Sequence, residues 1–369
     1  MYVAPEPTSE DQAKLGRSLI RAGLQLPSAT GEDARAYIDS VINFGVIGFG
    51  LHAVKRLMPG FALAKNCRVA ALSRRDLSKA QESARQYGIP LAFDSAEKLC
   101  HSPQVDAVFV ATPNACHLSD VLVATACGKP VLCEKPMGIH AEQCRQMVEA
   151  ARMAKVLLGV AQVFRFEEST AWFRQRVAAG SIGKVVFARS EFSFTADRNH
   201  PRVWINDPAI AGGGPIADVG VHCIDALRFA LQDEVLRVSA REVPGNAGAV
   251  EAGAALLLEF SRGTLATVMV SFRAQYRTPL ELVGETGVLR ADDALNVERP
   301  ILLELRRSGS LVESHTISNQ LAYARQVDAF AAAVESKTEF PVPGVEGWRN
   351  QEILDAAYRS MKTGKAENI

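Results

Sequence analysis

No stretch of this chain runs to the 18 or so uninterrupted apolar residues that a membrane-spanning helix needs, roughly. Residues Met1 to Glu10 carry neither the basic nor the apolar segment that leads a secreted protein. Membrane-spanning and secreted classes therefore have no support. Net charge is also missing. The 41 Lys and Arg balance 41 Asp and Glu, so no overall field draws the chain to nucleic acid or to an anionic membrane. Cysteine is sparse and unordered: Cys67, Cys100, Cys116, Cys127, Cys133, Cys144 and Cys223 are odd in number and form no CxxC pair or Cys/His ligand spacing. That pattern speaks against a metal site and a disulfide framework and for reduced thiols in a cytoplasm. Cys133 and Cys223 read as small buried hydrophobes, not nucleophiles.

What is present fits two domains. A chain of 369 residues exceeds one ordinary core, and 48% hydrophobic with 22% charged residues is the balance of a globular protein. Residues 1–40 read as an appendage with a helix from Glu10 to Ala22, a break at Pro27 to Gly31 and a short helix to Ser40. It either packs on its own domain or clasps a second subunit. From Asn43 short apolar runs alternate with helical ones. Strands are expected at Phe44–Gly48, Cys67–Leu72, Val105–Ala111, Pro130–Cys133 and Val156–Ala161, with helices near Asp76–Tyr87, Ala115–Cys127 and Ala141–Ala154. That alternation predicts a parallel sheet over residues 41–161. Beyond it, over 162–369, longer strands at Val185–Ser193, Val235–Glu242, Ala254–Phe260, Thr264–Ser271, Leu280–Val283 and Ile301–Arg307 predict an open, mostly antiparallel mixed sheet. Helices over Ser169–Ala179, Val221–Ala230, Gln320–Ser336 and Glu346–Lys362 are expected on one face of it. The fold class is thus α/β with a second α+β domain.

Three local patterns carry chemistry. In Gly45-Val46-Ile47-Gly48-Phe49-Gly50-Leu51-His52-Ala53 a strand turns into a helix. Gly48 permits the tight turn, Gly50 lets backbone approach a pyrophosphate, and the helix start is an anion site. The next strand ends in Ser73-Arg74-Arg75 instead of an acid, so two guanidiniums face the place of a ribose 2′-phosphate and NADP(H) is favoured over NAD(H). Asp76 serves either as a displaced ribose ligand or, in better accord with its position, as a helix N-cap. His52 reads as packing or solvated. The second pattern is Glu134-Lys135-Pro136, where a buried run delivers an ammonium to a sheet rim. The third is Asp218-Val219-Gly220-Val221-His222, whose acid and imidazole are placed to emerge one helical turn apart, the carboxylate orienting the ring.

Together with Ala111-Thr112-Pro113-Asn114, His117 and Gly212-Gly213-Gly214, this ordered set resembles the Gfo/Idh/MocA oxidoreductase family from about residue 41 to the end, and within it the glucose-fructose oxidoreductase-like branch. The resemblance implies a Rossmann domain, a C-terminal substrate and oligomerisation domain, and a nicotinamide between them. It also implies homodimers or homotetramers through the open face of the second sheet. Position by position, Lys135, Asp218 and His222 match the catalytic trio. Thr112, Pro113, Asn114 and His117 match the loop beside the cofactor, and Glu134 the contact near the nicotinamide. The chain departs from the branch at His222, where tyrosine is typical, and at Ala161, where glycine is usual ahead of Arg165-Phe166; the proline often found just beyond is absent at Glu167-Glu168.

Hydride transfer between the nicotinamide and a sugar, cyclitol or related polyol or keto-sugar is the expected reaction, in either direction. Lys135 would steady a developing alkoxide, with Lys135 and His222 both candidates for the terminal proton acceptor and Asp218 orienting either His222 or the substrate. Two alternatives stand beside it: sugar-to-sugar hydride exchange on a permanently bound NADP, and a nucleotide sensor with a vestigial site. Arg198, His200, Arg202 and Trp204 are expected either to line a polar substrate pocket or to lie in a plain surface loop.

Overall fold

Six short runs of apolar residues form the first sheet: β1 (Ile42–Ile47), β2 (Cys67–Ser73), β3 (Leu91–Phe93), β4 (Ala107–Val110), β5 (Val131–Glu134) and β6 (Leu158–Ala161). Every pairing among them is parallel, and their order is β3-β2-β1-β4-β5-β6. A parallel sheet is covered on both faces, and its strands show it: all four residues of β4 and all four of β5 are buried. The covering helices include α1 (Met58–Leu63), which continues a π-helical turn over Ala53–Leu57, α2 (Leu77–Tyr87), α3 (Ala96–Cys100), α4 (His117–Ala126) and α5 (Ala141–Ala154). Asp76 caps α2 by accepting the Lys79 N–H at 3.2 Å, and Gly88 closes it with φ of 66°. The five expected strands are present; β3 was not expected because three half-buried residues set no period.

The computed structural model describes residues 41–196 and 201–369, and the expected helices of residues 1–40 lie outside the described residues, as do Arg198 and His200. After β6 a 3-10 turn (Val163–Phe166) leads to α6 (Glu168–Ala178) and then to β7 (Val185–Thr195), the inner strand of a second sheet. A 3-10 turn (Val203–Asn206), α7 (Pro208–Ala211) and a π-helical turn (Ile216–Gly220) precede α8 (Val221–Leu231). The other strands are β8 (Val235–Val243), β9 (Gly253–Phe260), β10 (Leu265–Ser271), β11 (Arg273–Arg277), β12 (Leu280–Gly284), β13 (Val288–Ala291), β14 (Pro300–Arg307), β15 (Ser310–Ser318) and β16 (Glu367–Asn368). The order is β15-β14-β13-β12-β7-β10-β9-β8-β16, with β11 on β7. Among the described residues of this sheet only β7 and β10 pair in parallel; the remaining pairs are antiparallel, as expected. β15, an exposed edge strand with polar residues on both faces, gave no alternating signal to find.

Each sheet has its own core, and the last two long helices, α9 (Ala322–Ser336) and α10 (Gly344–Thr363), tie the two together. Phe330 and Phe340 close the first core, where an added Cβ on Gly159 of β6 would sit 2.6 Å from Phe340. Ile353, Leu354, Ala356 and Ala357 of α10 belong to the second core. Chain order and core membership therefore diverge after residue 320, and Val41–Ile369 form one compact unit.

Candidate active site

The strand order reverses between β1 and β4, and the crevice outside the carboxyl ends of such strands is where α/β sheets bind ligands. The loops after β1, β4 and β5 all open there. In the first, Gly48 has φ of +85°, and a Cβ on it would sit 2.6 Å from the Thr112 side chain. A Cβ on Gly50 would meet nothing nearer than a carbonyl at 3.9 Å, so backbone is left bare to an incoming group. The Ser73 carbonyl braces this turn by accepting the N–H groups of Gly48 (3.3 Å) and Phe49 (3.1 Å). The Phe49 ring itself turns into the core against Tyr87, 5.5 Å between centroids. Arg74 is half-buried and donates to Ser83 Oγ at 2.8 Å, while Arg75 is exposed.

The loops after β4 and β5 are laced to each other. Pro113 opens the 3-10 turn Asn114–Cys116, and Thr112 Oγ1 donates to Asp120 at 2.6 Å. Asn114 donates to the Ala211 carbonyl at 2.8 Å, joining this loop to the triglycine segment. His117 is wholly buried, its ring nitrogens each 2.9 Å from a backbone carbonyl, of Pro136 and of Thr112. The ring therefore ties both loops together through its two nitrogens. Burial pushes its pKa down.

At the end of β5, Glu134 accepts a hydrogen bond from His52 Nε2 across 2.7 Å, and its other oxygen accepts the Lys135 N–H at 3.2 Å. Burial raises the Glu134 pKa, but His52 and then Lys135 outweigh it and hold the carboxylate ionised. His52, which gave no sequence signal beyond its place after the glycine turn, thus belongs to the site. The Lys135-Pro136 bond is cis. Lys135 Nζ reaches the second half of the chain, donating to the Asp218 carbonyl at 2.7 Å and to its Oδ1 at 3.3 Å.

Asp218 lies in the π-helical turn, and Gly212-Gly213-Gly214 explains how that turn is seated. A Cβ on Gly213 would fall 1.8 Å from the Tyr358 hydroxyl, and one on Gly214 would fall 2.3 Å from the Glu251 carbonyl. The Glu251 carboxylate accepts the N–H groups of Gly214 (2.9 Å) and Ile216 (3.1 Å) as well as the Tyr358 hydroxyl (3.1 Å). Such π-turns are enriched at functional sites.

The structure corrects the expected role of Asp218 as the partner that orients His222. No hydrogen bond joins them, because two cations claim both carboxylate oxygens: Arg202 pairs bidentately, at 3.2 Å to Oδ1 and 3.0 Å to Oδ2, beside Lys135. Burial raises the Asp218 pKa, yet Arg202 and then Lys135 overcome it and leave the group far below the usual carboxylate range. Aromatic rings hold the imidazole instead. Phe164 meets it edge-on with centroids 4.6 Å apart, and Phe192 stacks on it at 6.0 Å. Burial, reinforced by Lys135, pushes the His222 pKa well below its ordinary value, so the ring is neutral at pH 7. Its Nδ1 is buried with no hydrogen-bond partner.

Of the other expected residues, Arg165 turns inward and pairs with Asp225 at 2.9 and 2.7 Å and with Glu346 at 2.7 Å, anchoring α8. Cys133 and Cys223 are fully buried and burial pushes their thiol pKa values up, that of Cys223 to about 12. Among the described residues no helix is long and apolar enough to cross a membrane.

The parallel sheet with its glycine turn, and the Glu134-Lys135 corner bonded to Asp218, have the frame of a dinucleotide-binding oxidoreductase. Comparison with known proteins agrees. Residues 42–162 match the model of an oxidoreductase family with an NAD-binding Rossmann fold, and residues 170–290 match the GFO/IDH/MocA C-terminal domain. The chain belongs to the GFO/IDH/MocA oxidoreductase family. It is 32% identical over 327 residues to a D-xylose 1-dehydrogenase (NADP(+)) of Haloferax volcanii, covering 88% of this chain and 99% of that one. It is 30% identical over 330 residues to a 1,5-anhydro-D-fructose reductase of Ensifer adhaerens, covering 88% and 98%. The aldose-aldose oxidoreductase of Caulobacter crescentus superposes with a TM-score of 0.82 at 25% identity, over 89% of this chain and 99% of that one.

Proposed function

We propose that this protein is an NADP(H)-preferring oxidoreductase of a sugar, cyclitol or related polyol or keto-sugar, acting through Lys135, Asp218 and His222. The observation that carries this reading is the state of Lys135. Two of its three N–H donors are spent on Asp218, so one is left for a substrate oxygen, beside a neutral imidazole. The bare backbone at Gly50 and the open helix start beyond it suit a dinucleotide pyrophosphate. A bound nicotinamide would supply the hydride acceptor. Lys135 then stabilises the alkoxide as charge develops on oxygen, His222 takes the proton, and Asp218 anchors the ammonium. Relatives that act on xylose and on anhydrofructose support a carbohydrate substrate. The test is a panel of sugars, inositols and keto-sugars followed by nicotinamide absorbance with both nucleotides; silence in both directions with every compound sinks the reading.

NADP(H) preference rests on Arg74 and Arg75, with no carboxylate at the end of β2 to repel a 2′-phosphate. Arg74→Ala/Arg75→Ala is expected to weaken NADP(H) by about 10- to 100-fold, the worth of a charged hydrogen bond, with little change in NAD(H). Equal losses measured by fluorescence titration would remove the assignment. Sugar-to-sugar exchange on retained nucleotide is the second reading, favoured by the likeness to an aldose-aldose oxidoreductase; it requires nucleotide to survive purification.

The outer face of the second sheet carries a run of exposed apolar side chains on neighbouring strands, Phe187 at 55% with Leu257, Leu265 and Met269 at 39%. Apolar side chains of that size call for a cover, and a second copy of the chain, as homodimer or homotetramer, is the proposed one. A monomeric mass by light scattering at micromolar concentration counts against it. All seven thiols are unpaired, which suits a reducing cytoplasm.

A further inference from the structure

We propose that Arg202 is a positioning residue of the proton-transfer site: its two-pronged grip commits the Asp218 carboxylate to cations and keeps it off the His222 ring. The inference rests on the function proposed above. Arg202 does not come from the helix that carries Asp218 and His222. It enters from the segment between β7 and α7, immediately before the 3-10 turn Val203–Asn206. Its guanidinium covers both oxygens of Asp218, at 3.2 and 3.0 Å, whereas Lys135 reaches only Oδ1.

The charged and titratable groups that face His222 are Lys135, Asp218, His52 and Arg202, and of these only Asp218 favours the imidazolium. Were the Asp218 carboxylate free to turn toward the ring, it would do what acids beside histidines do, accept an N–H and stabilise the cation. His222 would then hold a proton when it should be taking one. Arg202 also releases Lys135 from sole charge of the carboxylate, so the ammonium retains a donor for substrate. The unpartnered Nδ1 of His222, four residues from a fully committed carboxylate, is what such a division of labour leaves behind.

The test is the ring titration of His222, followed by NMR of protein with 13C-labelled histidine, its resonance assigned by loss in His222→Gln. The expected result is a higher titration midpoint in Arg202→Gln than in wild type, an intermediate one in Arg202→Lys, and a much smaller rise on adding Arg202→Gln to Asp218→Asn, the remainder being the direct repulsion of the guanidinium. A rise of undiminished size in the Asp218→Asn background means that Arg202 acts by its own charge alone and overturns the proposal, as does an unmoved midpoint in Arg202→Gln. If the Gln variant does not fold, the Lys variant, which preserves a cation but not the fork, decides by the same comparison. In turnover, kcat for alcohol oxidation falls about 10- to 100-fold in Arg202→Gln and its acidic limb moves to higher pH, with KM nearly unchanged. A loss confined to KM would make Arg202 a substrate ligand instead. The titration needs neither substrate nor nucleotide, so a failed substrate screen would sink the proposed function without deciding this inference.

Discussion

Replacing Lys135 by alanine is expected to lower kcat about 100- to 1,000-fold, roughly 3–4 kcal/mol of transition-state stabilisation, the cost of deleting a preorganised donor aimed at a developing oxyanion. Dissociation constants for the nucleotide should hardly move, because the glycine turn and Arg74 are held by Ser73 and Ser83 and not by Lys135. The fold should survive as well. Asp218 keeps Arg202, so no buried carboxylate is stranded without a cation. Lys135→Arg is expected to fare little better, since the planar fork cannot satisfy the Asp218 carbonyl and carboxylate while presenting one more donor along the same line. Steady-state turnover with a substrate found in the screen, beside fluorescence titration of nucleotide, separates these terms. Unimpaired kcat in Lys135→Ala would remove the ammonium from the chemistry.

The first sheet was legible in the sequence because its strands are buried on both faces and bounded by glycine and polar residues, so apolar run and strand coincide. β3, β13 and β16 are too short for any periodicity. β15 and β11 lie where neither face needs to be apolar, so their exposed residues carry no pattern. At the site, Lys135, Asp218 and His222 were legible because each sits in a compact motif at an element's end. Their partners were not. Arg202 and Asp218 meet only after the loop following β7 has folded back, and His52 meets Glu134 across the sheet's switch point, contacts that no spacing encodes. The motif spacing did mislead once. Four residues on a helix suggested an Asp–His pair, but the π-turn and the competition of two cations gave the carboxylate other partners. Phe164 and Phe192, whose rings pack on the imidazole, belong to no motif that would mark them.

His222→Gln tests the other half of the site. The amide keeps much of the ring's bulk and hydrogen-bonding character but cannot carry a proton near pH 7, so alcohol oxidation should fall about 100- to 10,000-fold in kcat/KM, the usual worth of a general base. The loss should be smallest at high pH, where hydroxide and a deprotonated substrate begin to substitute for it. Stability provides a check that needs no substrate. The folded protein holds His222 neutral below its ordinary pKa, for burial first and Lys135 second, whereas the unfolded chain binds the proton at about 6.5. The unfolded state therefore takes up more protons as pH falls through that value, and the stability contributed above it is lost below it. Gln has no such term, so the stability of wild type relative to His222→Gln should decline from pH 7.5 to pH 5.5, roughly across that titration. Denaturant melts at the two pH values measure it. A difference that grows in wild type's favour on acidification would mean an imidazolium in the folded state, which cannot act as the base, and the proton would then have to leave through Lys135.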